Sequence, residues 1–335
     1  RVYGDPSRDL IVIGVTGTNG KTTTSYLIDS GLRAAGHTTG VIGTVGVKIG
    51  ATTVGAARTT PEATDVHALL SVMRESGVTA VTMEVSSHAL RLGRVDGVRF
   101  DVGVFTNLSQ DHLDFHADMD DYFDAKAQLF LAHETAHAVV WVDDVWGQRM
   151  ADRVRSAGVR TVLCSASEES DFRVLSAVPG ATGSEVEIRN PDGVQVRLSV
   201  PLPGSFNVAN AACALAALDC VGVGEQVAAL VRVGQRRQGG MVGGHGVAQG
   251  IQKGGGHAVL VRDLVHEVAG RNARHPQDPV DDHALAAERE VRAAEVMDDL
   301  AAERRRDDVR VHDLPARGRA VEDGLPVDRG EVDAA

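Results

Sequence analysis

Short apolar runs alternate with amphipathic stretches along roughly the first 230 residues. Leu10–Val15 (LIVIGV) is apolar and β-branched almost throughout, the pattern of a strand covered on both faces. A Gly-rich segment follows, then helical periodicity from about Thr22 to Ala35, closed by Gly36. Gly40–Val47 reads as a second strand and Pro61–Ser76 as a helix, with Pro61 near its first turn. Ala80–Val85 and Val102–Phe105 read as strands and Tyr122–Ala132 as a helix. Ala138–Val142 and Thr161–Ser165 add two strands around a helix over Asp144–Ala157. This alternation predicts an α/β fold with a mostly parallel sheet covered on both faces. Residues 172–200 differ: FRVLSAV, SEVEIR and VQVRLSV alternate apolar and polar positions, with Asn190-Pro191-Asp192-Gly193 as a turn. That pattern predicts a small antiparallel hairpin region. Phe206–Cys220 then reads as an Ala-rich helix opened by Gly204-Ser205.

The pattern changes after about residue 234. Every aromatic residue lies between Tyr3 and Phe206, and residues 207–335 contain no Phe, Tyr or Trp. Aromatic side chains carry much of a core's burial energy, so a domain-sized stretch without them is a physical signal. From Gln235 the chain is Gly-rich, then dense in Arg, Asp, Glu and Ala, with a polar helical pattern over Asp281–Asp308 whose apolar stripe is thin. Residues 234–335 are therefore expected to be an atypical tail: poorly ordered, or the product of a shifted reading frame. No chemistry is placed there.

Composition narrows the function. The 335 residues carry a formal charge of −12, from 46 acidic and 34 basic side chains, without the clustered positive charge that nucleic acid requires. Three scattered cysteines, Cys164, Cys213 and Cys220, give neither a disulfide framework nor a zinc spacing. No run of 18 apolar residues and no basic-then-apolar leader is present, so a cytoplasmic protein without a membrane partner is expected.

The strongest chemical signal is Gly14-Val15-Thr16-Gly17-Thr18-Asn19-Gly20-Lys21-Thr22, placed between a strand and a helix. In that context small residues let backbone N–H groups converge on phosphate oxygens, aided by the helix N-terminus. Lys21 would reach the β- and γ-phosphates, and the Thr22 hydroxyl would hold Mg²⁺. The bland alternative is a Gly-rich turn with a solvated lysine. Glu84, at the carboxyl end of its strand in Met83-Glu84-Val85-Ser86-Ser87-His88-Ala89-Leu90, is a second candidate for the metal of ATP, or else a salt-bridged structural acid. No NKxD base-reading motif accompanies the loop, which counts against a GTPase-type switch. A non-catalytic nucleotide-binding module remains the other rival.

Thr16–Thr24 (TGTNGKTTT), Glu84–Leu90 (EVSSHAL), Asn107–His116 (NLSQDHLDFH) and Phe206–Asn210 (FNVAN), in that order, resemble the central ATP-binding domain of the Mur ligase family. The EVSSHAL segment is most similar to the branch that forms the muramoyl tripeptide. The likeness covers about residues 1–232, with 10–233 as the central domain and 1–9 as the remnant of a linker from a missing N-terminal domain. It implies an ATP- and Mg²⁺-dependent amide-bond ligase of peptidoglycan synthesis. Such an enzyme joins a diamino acid to UDP-N-acetylmuramoyl-L-Ala-D-Glu through an acyl phosphate.

By resemblance, Thr16, Gly17, Thr18, Asn19, Gly20, Lys21, Thr22, Thr23 and Asn207 would contact the nucleotide. Thr22, Glu84, His112 and Lys126 would serve metal ions, and Lys21, Glu84, His112 and Lys126 catalysis. Lys126 matches a family lysine that is carbamylated; on its own surroundings it reads as a solvated helix residue. His112 reads equally as a hydrogen-bonded structural histidine, and Asn207 as a helix N-cap. Thr59, Thr60, Ser86 and Arg94 would hold the muramoyl dipeptide. The family's C-terminal motifs are not found after Val233, so the resemblance implies a chain of reduced or absent ligase activity.

Overall fold

In the computed structural model, residues 3–224 other than Ala57 are described. The tail expected over residues 234–335, with the helical pattern read over Asp281–Asp308, lies outside the described residues.

The described chain is a three-layer α/β structure. Its strands are β1 (Ile11–Thr16), β2 (Thr39–Gly43), β3 (Gly46–Ile49), β4 (Thr52–Val54), β5 (Ala80–Glu84), β6 (Phe100–Phe105), β7 (Thr135–Trp141), β8 (Arg160–Ser165), β9 (Phe172–Gly180), β10 (Gly183–Arg189) and β11 (Gln195–Val200). Its helices are α1 (Lys21–Ala34), α2 (Ala63–Glu75), α3 (Ser87–Arg91), α4 (Met119–Leu131), α5 (Val145–Ser156) and α6 (Ser205–Cys220). The strands form one sheet in the order β11-β10-β9-β8-β7-β6-β1-β5-β2-β3-β4. Pairing is parallel from β2 across to β9 and antiparallel at both ends.

Two apolar layers cover the sheet. On one face α1 and α6 contribute Tyr26, Ile28, Leu32, Val208, Leu215 and Leu218. On the other, Val66 and Leu70 of α2, Phe123, Leu129 and Phe130 of α4, and Met150 and Val154 of α5 pack together. With both faces covered, the central strands are mostly apolar and β-branched, as LIVIGV predicted.

Two local expectations need correction. Gly40–Val47 is not one strand: it breaks at Thr44-Val45 into the β2–β3 hairpin. Pro61 precedes α2 rather than opening it, and Glu62 is the N-cap. The antiparallel region expected at 172–200 is present as β9–β11, and it continues the main sheet because Cys164 and Ser165 of β8 pair in parallel with Phe172 and Arg173 of β9.

This topology places the chemistry. β1 lies between β5 and β6, with Val15 opposite both Glu84 and Val104 in register. The carboxyl ends of these strands therefore open together, the position where open α/β sheets bind ligands.

Candidate functional site

The phosphate loop forms the bend from β1 into α1. Gly17 has φ 148°, and a Cβ there would lie 2.0 Å from Thr106 Oγ1. The loop is clamped from the end of β6. Thr106 Oγ1 donates to Asn19 O (2.7 Å), Thr18 N to Asn107 O (3.0 Å), and Asn19 N to Asn107 Oδ1 (3.0 Å). Asn107 Nδ2 returns a bond to Asn19 O at 3.0 Å. Ser109 N donates to Thr18 Oγ1 (3.0 Å). Thr16 is fully buried, with its carbonyl accepting from Thr106 N at 3.1 Å. Gly20 precedes the first turn of α1, which includes Thr22 and the half-buried Thr23.

Glu84 closes the other side. Its carboxylate is 1% exposed, accepting from Thr22 Oγ1 (2.9 Å), Thr44 N (2.8 Å) and Thr44 Oγ1 (3.1 Å). Among the described residues it has no ion pair within 4.0 Å, so the salt-bridged reading of Glu84 is corrected. Burial raises its carboxyl above the ordinary range, opposed by the Thr44 and Thr22 hydrogen bonds and the Lys21 charge. The β2–β3 turn thus has a chemical role: it delivers an amide and a hydroxyl to this acid.

Two buried amines converge on one carbonyl. Lys21 Nζ donates to Gly17 O and Thr18 O, both at 2.9 Å, and Lys126 Nζ donates to Gly17 O at 2.8 Å. Burial lowers the Lys21 amine below its ordinary value. Lys126 is 1% exposed, against its reading as a solvated helix residue, and lies 4.3 Å from the centre of the Tyr122 ring. Its amine falls well below the ordinary lysine value, first through burial and then through Lys21. Both amines thus give up a proton more readily than surface lysines, Lys126 the more so.

The substrate candidates sit beside Glu84. Thr60 Oγ1 donates to Glu84 O (2.8 Å) and accepts from Ser86 N (3.2 Å), while Thr59 and Thr44 share a hydroxyl contact at 3.0 Å. Ser86 caps α3 by accepting from Ala89 N at 3.1 Å. Arg94 pairs with Glu62 at 3.1 Å, and its Nε is buried without a hydrogen-bond partner.

His112 is exposed, in a left-handed backbone conformation with φ 54°, its Nε2 3.6 Å from Asp111 Oδ2. Its ring lies 5.0 Å from His88 and 6.1 Å from Tyr122, which borders Lys126. Such a backbone costs about 1–2 kcal/mol and recurs at functional positions. Asn207 is not an N-cap: Gly204 occupies that position, and Asn207 Nδ2 donates to Pro203 O at 2.8 Å. Asn207 Oδ1 accepts from Asn210 Nδ2 at 3.2 Å, and Asn210 Oδ1 would lie 2.3 Å from a Cβ at Gly20. This pair backs the loop.

The structure therefore gathers the candidates along a continuous path from Thr22 and Glu84, through Lys21 and Lys126, to Tyr122 and His112. Sequence reasoning missed Thr44, Thr106, Tyr122, His88 and His116. His88 and His116 lie within the quoted segments, whereas Thr44 and Tyr122 have no local signal. The donor set fits a hard cation: a carboxylate and a hydroxyl sit side by side near a phosphate-binding bend. No cluster of three or more His, Cys, Asp or Glu suited to a metal occurs among the described residues.

Residues 15–218 match the family model of the Mur ligase middle domain. A curated relative, the UDP-N-acetylmuramoyl-L-alanyl-D-glutamate–2,6-diaminopimelate ligase of Corynebacterium glutamicum, is 54% identical over 226 residues, covering 66% of this chain and 43% of the relative. A solved structure of a ligase with that name superposes with a TM-score of 0.62 at 29% identity, covering 73% of this chain and 49% of the other. A folylpolyglutamate synthase of Mycobacterium tuberculosis, solved with ADP and AMPPCP, shares the fold at a TM-score of 0.57 and 18% identity, covering 69% of this chain and 60% of its own. The chain spans less than half the length of the curated relative, and the matched part contains the phosphate loop, Glu84, His112 and Lys126. By that family match, the chain belongs to the Mur ligase family and carries its middle domain.

Proposed function

We propose that this chain supplies the nucleotide-binding and carboxylate-activating part of an ATP-dependent ligase that joins a diamino acid to UDP-N-acetylmuramoyl-L-Ala-D-Glu. The observation that carries this reading is the Thr22–Glu84 contact at 2.9 Å beside a bend gripped by Lys21. In the reading, loop amides and Lys21 bind the triphosphate, while Thr22 and Glu84 hold Mg²⁺. The metal, when bound, supplies charge neutralisation for phosphoryl transfer. Thr59, Thr60, Ser86 and Arg94 place the muramoyl dipeptide. Its D-Glu side-chain carboxylate attacks the γ-phosphorus, the bond to the β-phosphate oxygen breaks, and ADP leaves. The amino group of the diamino acid then displaces phosphate from the acyl phosphate, forming the amide and releasing a proton.

Lys126 is the residue for carbamylation. Its amine, once it has given up its own proton, adds to CO₂, forming an N–C bond and releasing one further proton, which leaves an anionic carbamate as an oxygen ligand. With His112 it would serve a second metal. The relatives' names support the substrate class, and the nucleotide complexes of the folylpolyglutamate synthase support ATP.

Calorimetric titration of MgATP into the wild type and Lys21→Ala tests the reading. A tenfold or greater loss of affinity, about 1.4 kcal/mol, is expected in the variant. Equal affinity refutes the loop assignment, and preference for GTP supports a switch instead. Hydroxylamine trapping with MgATP and the muramoyl dipeptide then separates an acyl-phosphate-forming chain from a module that only binds nucleotide.

A further inference from the structure

One buried network lies outside the groups so far assigned to chemistry. His116 is 2% exposed, in the loop between β6 and α4. Its Nε2 lies 3.0 Å from Ser87 Oγ and its Nδ1 3.2 Å from Asp121 Oδ2. An ionised carboxylate only accepts, so Nδ1 carries the proton toward Asp121; the neutral ring then accepts the Ser87 hydroxyl proton at Nε2. Ser87 is itself 2% exposed, so this chain of bonds is not a reactive nucleophile at a surface but a fixed internal link.

What it links is specific. Ser87 is the first residue of α3 and follows Ser86, one of the groups proposed to hold the dipeptide. Asp121 lies in the first turn of α4, the helix that carries Lys126. Asp121 also pairs with Arg91 at the end of α3 and accepts from Ala117 N at 3.3 Å. The opposite face of the relay meets Tyr122, whose ring lies 4.9 Å from His116 and whose hydroxyl lies 3.3 Å from Thr18 Oγ1 in the phosphate loop. A single imidazole is thus packed between the turn that would read the dipeptide and the helix that would hold the modified lysine.

We infer that His116 is a positioning residue that, through the Ser87–His116–Asp121 hydrogen-bond relay, sets the Ser86 turn in register with Lys126 on α4. This rests on the ligase reading for the ligand that Ser86 contacts. It assigns to His116 no contact with substrate; it acts on dipeptide placement and leaves the phosphate loop to its own clamp of Thr106 and Asn107.

The test is a double-mutant cycle on the full chain with His116→Ala, Ser87→Ala and the pair, reading binding of UDP-N-acetylmuramoyl-L-Ala-D-Glu and of MgATP separately. Each single variant is expected to weaken dipeptide affinity about tenfold, and the double variant no further, since both remove one link. MgATP affinity stays within about twofold in all three, a split that general loss of packing would not produce. His116→Gln, which keeps an amide near Ser87 but loses the Asp121 bond, recovers part of the affinity and serves if His116→Ala does not fold. Unchanged dipeptide affinity, multiplicative effects, or parallel loss of MgATP binding would each overturn the relay while leaving the ligase reading intact. A wild-type chain that binds MgATP but no dipeptide instead overturns the substrate reading, and the inference with it.

Discussion

Replacing Glu84 with Gln separates stability from ligand binding in opposite directions. The carboxylate is almost completely buried and accepts three hydrogen bonds, from Thr22 Oγ1, Thr44 N and Thr44 Oγ1. The amide of Gln keeps the bond from Thr44 N at its oxygen, and its NH₂ donates to the two hydroxyls, which rotate to accept. The exchange weakens charge-assisted bonds by about 1 kcal/mol each, but removes a buried charge whose effective desolvation costs several kcal/mol. Its raised pKa decides the sign: the surroundings disfavour the ionised form. Stability from this group is highest below the unfolded carboxyl value and falls as pH rises through the raised folded value. At pH 7 the variant should therefore be more stable than the wild type, by about 1 kcal/mol or 2–4 °C in melting temperature. The gap should close toward pH 4. MgATP affinity should fall about 10–100-fold, or roughly 1.4–2.7 kcal/mol, because the amide no longer neutralises the cation. Melting curves with and without MgATP, across pH, measure both effects. A destabilised ligand-free variant, or one that binds MgATP like the wild type, would refute the reasoning.

Gly17→Ala forces a Cβ against Thr106 Oγ1 at φ 148°, costing about 1–3 kcal/mol of backbone strain, and should abolish measurable MgATP binding by calorimetry while the sheet still melts cooperatively. His116, with its proton affinity pushed down to about 4 from 6.5 by burial, then by His88, Arg91, Lys126 and His112, is stabilising while neutral. Asp121 Oδ2 lies 3.2 Å from His116 Nδ1, and its other oxygen is held by Arg91. The unfolded state binds the extra proton, so up to about 3 kcal/mol is lost as pH falls from 6.5 to 4, and urea titrations of His116→Gln should show a flatter slope there. Lys48→Met leaves the fully buried Asp29 with Arg33 as its cation and should cost about 3 kcal/mol in urea unfolding. Incubation with ¹³C-labelled CO₂ should yield a carbamate carbon resonance that Lys126→Arg lacks.

The parts of this protein written in contiguous residues were readable, and those made by distant ones were not. LIVIGV followed by TGTNGKTT specifies a strand, a bend and a helix start within one window, so the loop is legible in the sequence. Glu84 was legible for the same reason, as an acid ending an apolar strand. The β2–β3 turn was not: Gly40–Val47 contains no turn dipeptide, and its break at Thr44 follows from the acid forty residues later that receives its amide. Helix α3 is five residues long, too short for periodicity to register. Lys126 shows the limit best. Asp124-Ala125-Lys126-Ala127-Gln128 looks like a wetted helix, and only Tyr122 beneath the amine and Gly17 O above it make the residue interior. The strands of 172–200 were visible, but their attachment to β8 is a pairing between segments and leaves no periodic trace in either.

The energetic arrangement of the site also argues for the class of ligand it takes. Lys21 and Lys126 direct two buried amines at Gly17 O, and neither forms an ion pair with a carboxylate among the described residues. Glu84 lies on the opposite side of Thr22 with its own desolvation uncompensated by a direct cation. A neutral ligand would leave each of these costs in place. A polyanion with its divalent counter-ion relieves both at once, because phosphate oxygens meet the Lys21 amine and the cation meets the acid. Binding then returns the stability that burial removed, so the melting temperature should rise more with MgATP than with either ATP in chelator or Mg²⁺ alone. Equal shifts from ATP with and without the cation would mean that Thr22 and Glu84 are a structural pair, and the phosphate bend would have to be explained without them.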